Sequence, residues 1–507
     1  MTTTVTRLSQ KIRFVFASQW FFYATVALFS ISSIWVATAS LYPMAFDEEF
    51  HLGLIKIYAA HWLPYGIENT RDMAQYGAAM SDPSYLFHYL MSFPYRLLDW
   101  LGLSQTAIII CLRLLNVAMV VTSLFIYRKA LLAANVSKPI AHGVIAAFTL
   151  IPILPMMAGQ LNYDNLLLIM VALSFLLTIN ITKFVQRNST VPVMSTLALL
   201  GVVLITLPIK YAFFPIALVI FGWLIFLLWR CLREKGFQII AARVLKDFKK
   251  ISTLGKVSLA ILFIVGAFFS ARYVENYIRY DSLIPSCHVV FDEDACMDFG
   301  PWARDYLYKK QLDPGFKPES YPAYFTTEWV PGMIFRLTFT LAGKTNGFQT
   351  KQPLPLLWPI ACVFLLTGLV ALLRYGRHII RDYPYAALTI LATLAYIGML
   401  SIKLYLGYTK TGIPAAINGR YLLPLIPFMI AVFAQAIFFA AKRLKITAEI
   451  VLVVTAMLVI TLFQGGGIVT YIVLGESHWF YPGWGQTSHD FLHDLLSPIT
   501  WQYRWFK

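Results

Sequence analysis

Charge is scarce in this 507-residue chain. Asp, Glu, Lys and Arg make up 13% of it, against about 25% in soluble domains. Acids are scarcer still, 25 against 41 Lys and Arg, which leaves a net charge of +16. With 59% hydrophobic residues and a mean hydropathy of +0.66, a single soluble globule is excluded. The chain also lacks a Gly-rich phosphate loop, a metal-type His/Cys spacing, an internal repeat and any long low-complexity run. No nucleotide-binding domain is legible, so an enzyme built this way draws its energy from something other than cytosolic ATP.

Long apolar runs are what the chain has instead. Eleven approach the length that crosses about 30 Å of hydrocarbon: 20–42, 106–127, 140–158, 164–182, 191–209, 211–229, 257–275, 353–373, 384–402, 421–440 and 447–464. No small-residue cleavage site follows the first run, and Arg7, Lys11 and Arg13 precede it, so it reads as a retained helix. The expected fold is an all-α polytopic membrane protein with about 11 transmembrane helices. Its transmembrane domain covers 1–464, including outer loops 43–105 and 276–352, and a short outer tail covers 465–507.

Charge asymmetry orients the chain. With the N-terminus inside, the inner segments 1–19, 128–139, 183–190, 230–256, 374–383 and 441–446 hold 22 of the 41 basic residues and only Glu234, Asp247 and Asp382 as acids. Every inner loop is then basic, as the positive-inside rule requires. The positive charge is mostly topology, with segments such as 243–250 on anionic lipid headgroups, and no nucleic-acid partner is needed. The short loops and the lack of eukaryotic retention signals favour a bacterial inner membrane, with the N-terminus cytoplasmic and the active site extracytoplasmic.

The acids then lie outside. Phe46-Asp47-Glu48-Glu49-Phe50-His51 follows the first run directly, and ionisable groups beside hydrocarbon are costly enough to suggest function. Leu52, Ile55, Ile57, Tyr58 and Trp62 recur at helical spacing, as do Tyr85, Leu86, Tyr89, Leu90, Phe93 and Leu97. Two amphipathic helices at the interface are expected in this loop. The second outer segment holds Cys287 and Cys296 with eight residues between them, a disulfide candidate outside the cytoplasm. Cys111, Cys231 and Cys362 read as packing. The tail is aromatic (Trp479, Phe480, Tyr481, Trp484, Trp501, Trp505) and is expected on the outer interface.

Several outer groups form one candidate site. Asp47 and Glu48 are the catalytic candidates. Arg420, Lys210, Lys403 and Arg71 are candidates for holding a donor phosphate, and Asp164, Glu49 and His51 for a second acidic or acceptor site. Arg420 stands out because a cation at a helix N-terminus is electrostatically unfavourable. Structural readings stand beside these: Asp164 as a helix cap, the acids at 47–49 as a favourable helix start, His51 as a packed histidine, and Arg71 or Arg113 as partners of a nearby carboxylate. The chemistry such a set suits is transfer to a hydroxyl. A carboxylate removes the hydroxyl proton while Arg and Lys hold a departing phosphate.

These residues resemble the GT-C superfamily of polyprenyl-phosphate-sugar glycosyltransferases. The likeness rests on Asp47-Glu48 after helix one, amphipathic helices in the first loop, Asp164 opening helix four, and Arg420-Tyr421-Leu422-Leu423-Pro424. It implies inverting transfer of a sugar from a polyprenyl-phosphate donor to a glycan, lipid or protein acceptor, with Asp47 as general base. Some members bind a divalent cation and others need none. The metal stays open here, as no ligand set stands out, and no other cofactor is implied. Two other classes remain: a lipid-linked glycan polymerase or ligase, and a flippase or transporter of a lipid-linked solute.

Overall fold

The computed structural model describes residues 2–45, 47–338 and 357–500. In chain order its helices are α1 Thr2–Ala17, α2 Gln19–Ala39, α3 Glu48–Ala59, α4 Leu86–Trp100, α5 Gln105–Ala133, α6 Lys138–Thr149, α7 Ile153–Ala158 and α8 Tyr163–Asn188. Then come α9 Val193–Thr206, α10 Phe214–Lys235, α11 Phe237–Lys250, α12 Thr253–Tyr280, α13 Cys287–Val290, α14 Glu293–Cys296 and α15 Gly300–Gln311. The last are α16 Tyr321–Tyr324, α17 Val330–Thr338, α18 Leu357–Asp382, α19 Pro384–Thr411, α20 Ile426–Leu444, α21 Thr447–Phe463, α22 Val469–Leu474 and α23 Trp484–Leu496. Among the described residues there is no strand, only an isolated bridge between Ser40 and Phe480.

Each of the eleven apolar runs carries helix, and among the described residues eight helices are long and apolar enough to cross a membrane: α2, α5, α8, α10 with its preceding turn, α12, α18, α19 and α20. The chain is a polytopic helical protein of membrane type. Two runs form the shorter apolar helices α9 and α21. The third run is broken into α6 and α7 at Pro152, because proline has no amide for the helix ladder and clashes with the preceding turn. Serine caps start α2, α5 and α12, with Ser18, Ser104 and Ser252 each accepting from a backbone amide.

At the centre, α5 packs between α2 and α8, and α8 leads through α9 to α12. On another side α10 lies against α19, and α20 joins α18, α6 and α21. The first-loop helices pair with each other, and Leu52, Ile55, Tyr58, Leu86 and Phe87 are buried between them and the bundle. They are thus packed elements and not a pair floating at headgroup depth, although Trp62, Leu90, Phe93, Leu97 and Trp100 stay exposed.

Three features were not read from the sequence. The N-terminal segment is a helix, α1, packed on α6 and α21. The turn at Phe325–Trp329 is π-helical. The tail is structural: Leu41 donates to the Trp479 carbonyl at 2.7 Å and Tyr481 to that of Ala39 at 2.8 Å. Trp479 and Phe480 are buried instead of resting on an interface. Phe46, the loop stretch 339–352, the first residues of the run at 353–373, Trp501 and Trp505 lie outside the described residues.

Candidate functional site

The site assembles where several chain segments meet at one end of the bundle: the end of α2, the start of α3, the first turns of α5, the link before α8, the α9–α10 hinge, and the turn before α20. Its framework is the buried ion pair of Glu48 and Arg113, both fully excluded from solvent. Arg113 donates from Nε to Glu48 Oε1 at 2.8 Å and from Nη2 to Oε2 at 2.7 Å. The amides of Met44 and Leu161 supply two more donors, at 2.7 and 3.1 Å. Arg113 Nη1 also reaches the carbonyls of Ala37 and Ser40, at 3.2 and 2.6 Å. Four donors thus occupy both oxygens of this carboxylate in a dry setting. Sequence pattern paired Glu48 with Asp47 as a catalytic candidate; the structure makes it the anchor of the loop, because its oxygens are already taken.

Asp47 is different. It takes a left-handed backbone (φ 70°, ψ 25°) just before α3 and makes no side-chain cap bond, a conformation Asp tolerates better than most residues. The turn sends Glu48 into the bundle and leaves Asp47 exposed. Asp47 Oδ2 accepts from Arg420 Nη2 at 2.9 Å. Arg420 is buried and sits in a 3₁₀ turn, Gly419–Leu422, whose start is capped by Asn418 accepting from the Arg420 amide at 3.1 Å. It therefore precedes α20 instead of opening it.

A second ion pair lies beside the first. Lys210 Nζ donates to Asp164 Oδ1 at 2.5 Å and lies 4.4 and 4.8 Å from the ring centres of Tyr163 and Tyr421. Lys210 was expected at the outer surface and is instead buried, as a desolvated ammonium can be once a carboxylate and two ring faces hold it. Asp164 is not the cap of α8; Asn162 is, and it accepts from the Asp164 amide at 2.9 Å. Asp164 Oδ2 has no partner among the described residues.

The remaining candidates divide. Lys403, exposed on α19, donates to the Tyr211 hydroxyl at 2.6 Å, next to Lys210 in sequence. Glu49 is exposed at the start of α3. Arg71 is not gathered into the site: it pairs with Asp294 at 2.7 Å and Asp292 at 3.5 Å on the segment closed by the Cys287–Cys296 disulfide. That segment lies along the first loop, with Phe299 near Phe50 and covering Gly77. Cys111, Cys231 and Cys362 are free thiols.

His51 is buried against His88, Nδ1 to Nε2 at 2.8 Å, with Tyr163 edge-on to its ring. Burial pushes His88 down to about 3. Burial first, then His88 and the charges of Arg420 and Lys210, hold His51 well below the ordinary histidine range. Both rings are neutral near pH 7. His88, Tyr163 and Asn116 were missed from sequence. Asn116 accepts from Asn165 at 2.9 Å and from the Asn162 amide at 3.3 Å. Its signal was present: Arg113 and Asn116 are two polar residues one turn apart in an apolar run.

An apolar cavity of about 800 Å³ leads away from the Arg420 turn. Leu422 of the Arg420 turn and Ile426, Ile430, Phe433, Phe438 and Lys442 along one face of α20 line it, with α1, α6, α17, α18 and α21 among its other walls. From Ile426 to Lys442 the stripe runs about 24 Å at 1.5 Å per residue. Among the described residues no group of three or more His, Cys, Asp or Glu side chains is placed to hold a metal. Glu48 is fully engaged by Arg113 and two amides, and Asp47 faces a guanidinium. In comparisons with known proteins, no family model, no curated protein and no solved structure matches the chain.

Proposed function

We propose that the chain is a GT-C-type glycosyltransferase. It moves a sugar from a polyprenyl-phosphate donor to an acceptor hydroxyl with inversion, on the extracytoplasmic face of a bacterial inner membrane. The observation that carries this reading is the continuity of three parts. A solvent-facing carboxylate, Asp47, touches a buried guanidinium, Arg420, and an apolar cavity starts two residues further on at Leu422. A lipid-borne phosphate needs that sequence of environments: water for the acceptor, a cation for the phosphate, hydrocarbon for the chain.

The chemistry follows from these groups. Asp47 takes the proton of the acceptor hydroxyl as its oxygen attacks the anomeric carbon. The bond from that carbon to the phosphate oxygen breaks, and its electron pair leaves with the polyprenyl phosphate. Arg420 offsets the charge growing there, and Lys210, neutralised by Asp164, adds polar and aromatic walls. Glu48 and Arg113 act at one remove by fixing the backbone on which Asp47 stands.

The cavity's depth also favours a second reading, a flippase for a lipid-linked solute, since a lipid chain crossing the bilayer would use the same apolar stripe. The test is purified protein in nanodiscs with a panel of radiolabelled polyprenyl-phosphate monosaccharides. Transfer or hydrolysis is expected for one donor, and Asp47→Asn should lower the rate by about 10²- to 10⁴-fold, the usual worth of a general base. Unchanged turnover in Asp47→Asn would remove the base assignment, and lipid flux that survives it would favour the flippase.

A further inference from the structure

We propose that the Asp47–Arg420 ion pair is an internal latch, in which the carboxylate occupies the anion site that the donor's phosphate takes, so that donor binding releases the base. This rests on the glycosyltransferase reading and concerns the order of events at that same site.

The geometry requires the pair to open. In an inverting displacement the anomeric carbon lies between the attacking oxygen, with its base, and the departing phosphate. Asp47 Oδ2 and Arg420 Nη2 are 2.9 Å apart, which leaves no room for a sugar between them. One partner must move, and the two are unequal. The Arg420 side chain is 7% exposed and that of Asp47 59%. Arg420 is held by the Asn418 cap and lies over the Tyr421 ring, 5.3 Å from its centre. The turn beneath it is wedged, since a Cβ on Gly419 would meet the Met333 carbonyl and Leu337. Asp47 has no comparable restraint. Its side chain makes no cap bond, and its neighbour Glu48 carries the anchoring contacts, so Asp47 can rotate without disturbing the loop.

Desolvated Arg420 needs an anion whether or not substrate is present. In the free protein Asp47 supplies it; in the donor complex the phosphate does, with bidentate geometry available to guanidinium. The exchange makes the two substrates ordered, donor first, because the base becomes available to an acceptor only after the phosphate has displaced it.

The test uses the full-length protein in nanodiscs and an unglycosylated polyprenyl phosphate as the probe. If the latch operates, Asp47→Asn removes a competitor and binds the probe more tightly than wild type, by about 3- to 10-fold, the scale of a partly exposed ion pair. Arg420→Gln should lose the probe. Glu49→Gln, which deletes the adjacent exposed carboxylate, should bind as wild type does. The latch is overturned if Asp47→Asn binds no tighter, or if Glu49→Gln tightens binding equally, which would mark general charge repulsion. Absence of probe binding in wild type would overturn the donor assignment itself, and the latch with it.

Discussion

Replacing Arg113 by Met isolates the contribution of the buried ion pair. The substitution keeps much of the volume on α5 but strands the Glu48 carboxylate with only the Met44 and Leu161 amides, in a setting with no solvent access. It also leaves the carbonyls of Ala37 and Ser40 without the guanidinium they accept from. Removing one partner of a buried pair costs about 3–5 kcal/mol, a factor of roughly 10²–10³ or more in the folding equilibrium. Neutralising the stranded acid should recover part of that loss. Glu48→Gln on the Arg113→Met background removes the charge but keeps an oxygen for only one of the two amides, since Met44 and Leu161 donate to different oxygens of Glu48. The double variant is therefore expected to be more stable than Arg113→Met yet to stay about 1–3 kcal/mol below wild type for the amide left unpaired.

The assay is reversible SDS-induced unfolding in bicelles, run on both single variants, the double variant and wild type, with transfer measured on the same samples. Transfer should stay low in the double variant, because the Asp47 turn has lost the pair that fixed α3 to α2 and α5. Two results refute the reasoning. If the double variant is as unstable as Arg113→Met, the stranded charge is not the source of the cost. If folding and transfer both return in full, Glu48 does not position Asp47.

Two further perturbations test neighbouring parts. The fold holds His51 and His88 neutral, whereas in the unfolded chain each binds a proton below about pH 6.5. Stability is therefore full above that pH and falls as the medium is acidified, by up to about 2.7 kcal/mol per pH unit if both titrate; melting from pH 7.5 to 5 should show this decline in wild type and a flatter one in the His51→Phe/His88→Phe variant. Gly419→Ala would press a Cβ onto the Met333 carbonyl, a backbone atom that cannot swing aside, so polyprenyl-phosphate binding should fall at least 10-fold while the detergent-extracted protein remains monodisperse; unaltered binding would show that the Arg420 turn tolerates displacement.

Much of the architecture was legible because it is periodic. Apolar runs of crossing length marked the helices, and basic clusters marked their connections. The break at Pro152 was written in the sequence too, but a run of apolar residues masks it when length alone is counted. Partnerships were harder. Arg113 and Arg71 both looked like cations in search of a carboxylate, and nothing local says that Glu48 takes the first while Asp292 and Asp294 take the second. Such choices depend on which helix ends meet in space. The tail shows the same limit: Trp479 and Phe480 read as interface anchors by composition, yet they seal the end of α2 because Leu41 and Tyr481 need backbone partners there.

The site candidates that came together did so for an electrostatic reason. At low dielectric a lone cation is too costly to keep, so Arg113, Lys210 and Arg420 each have a carboxylate: Glu48, Asp164 and Asp47. Solvent access separates the three pairs. Two are buried on both sides and gain nothing by opening. The third has one partner in water, Asp47, the acid proposed as the base. A site that binds an anion from the bilayer has to stay neutral when empty and still offer a cation on demand. Under the proposed transfer from a lipid-borne donor, pairing the cation with a displaceable carboxylate meets both conditions at Asp47 and Arg420.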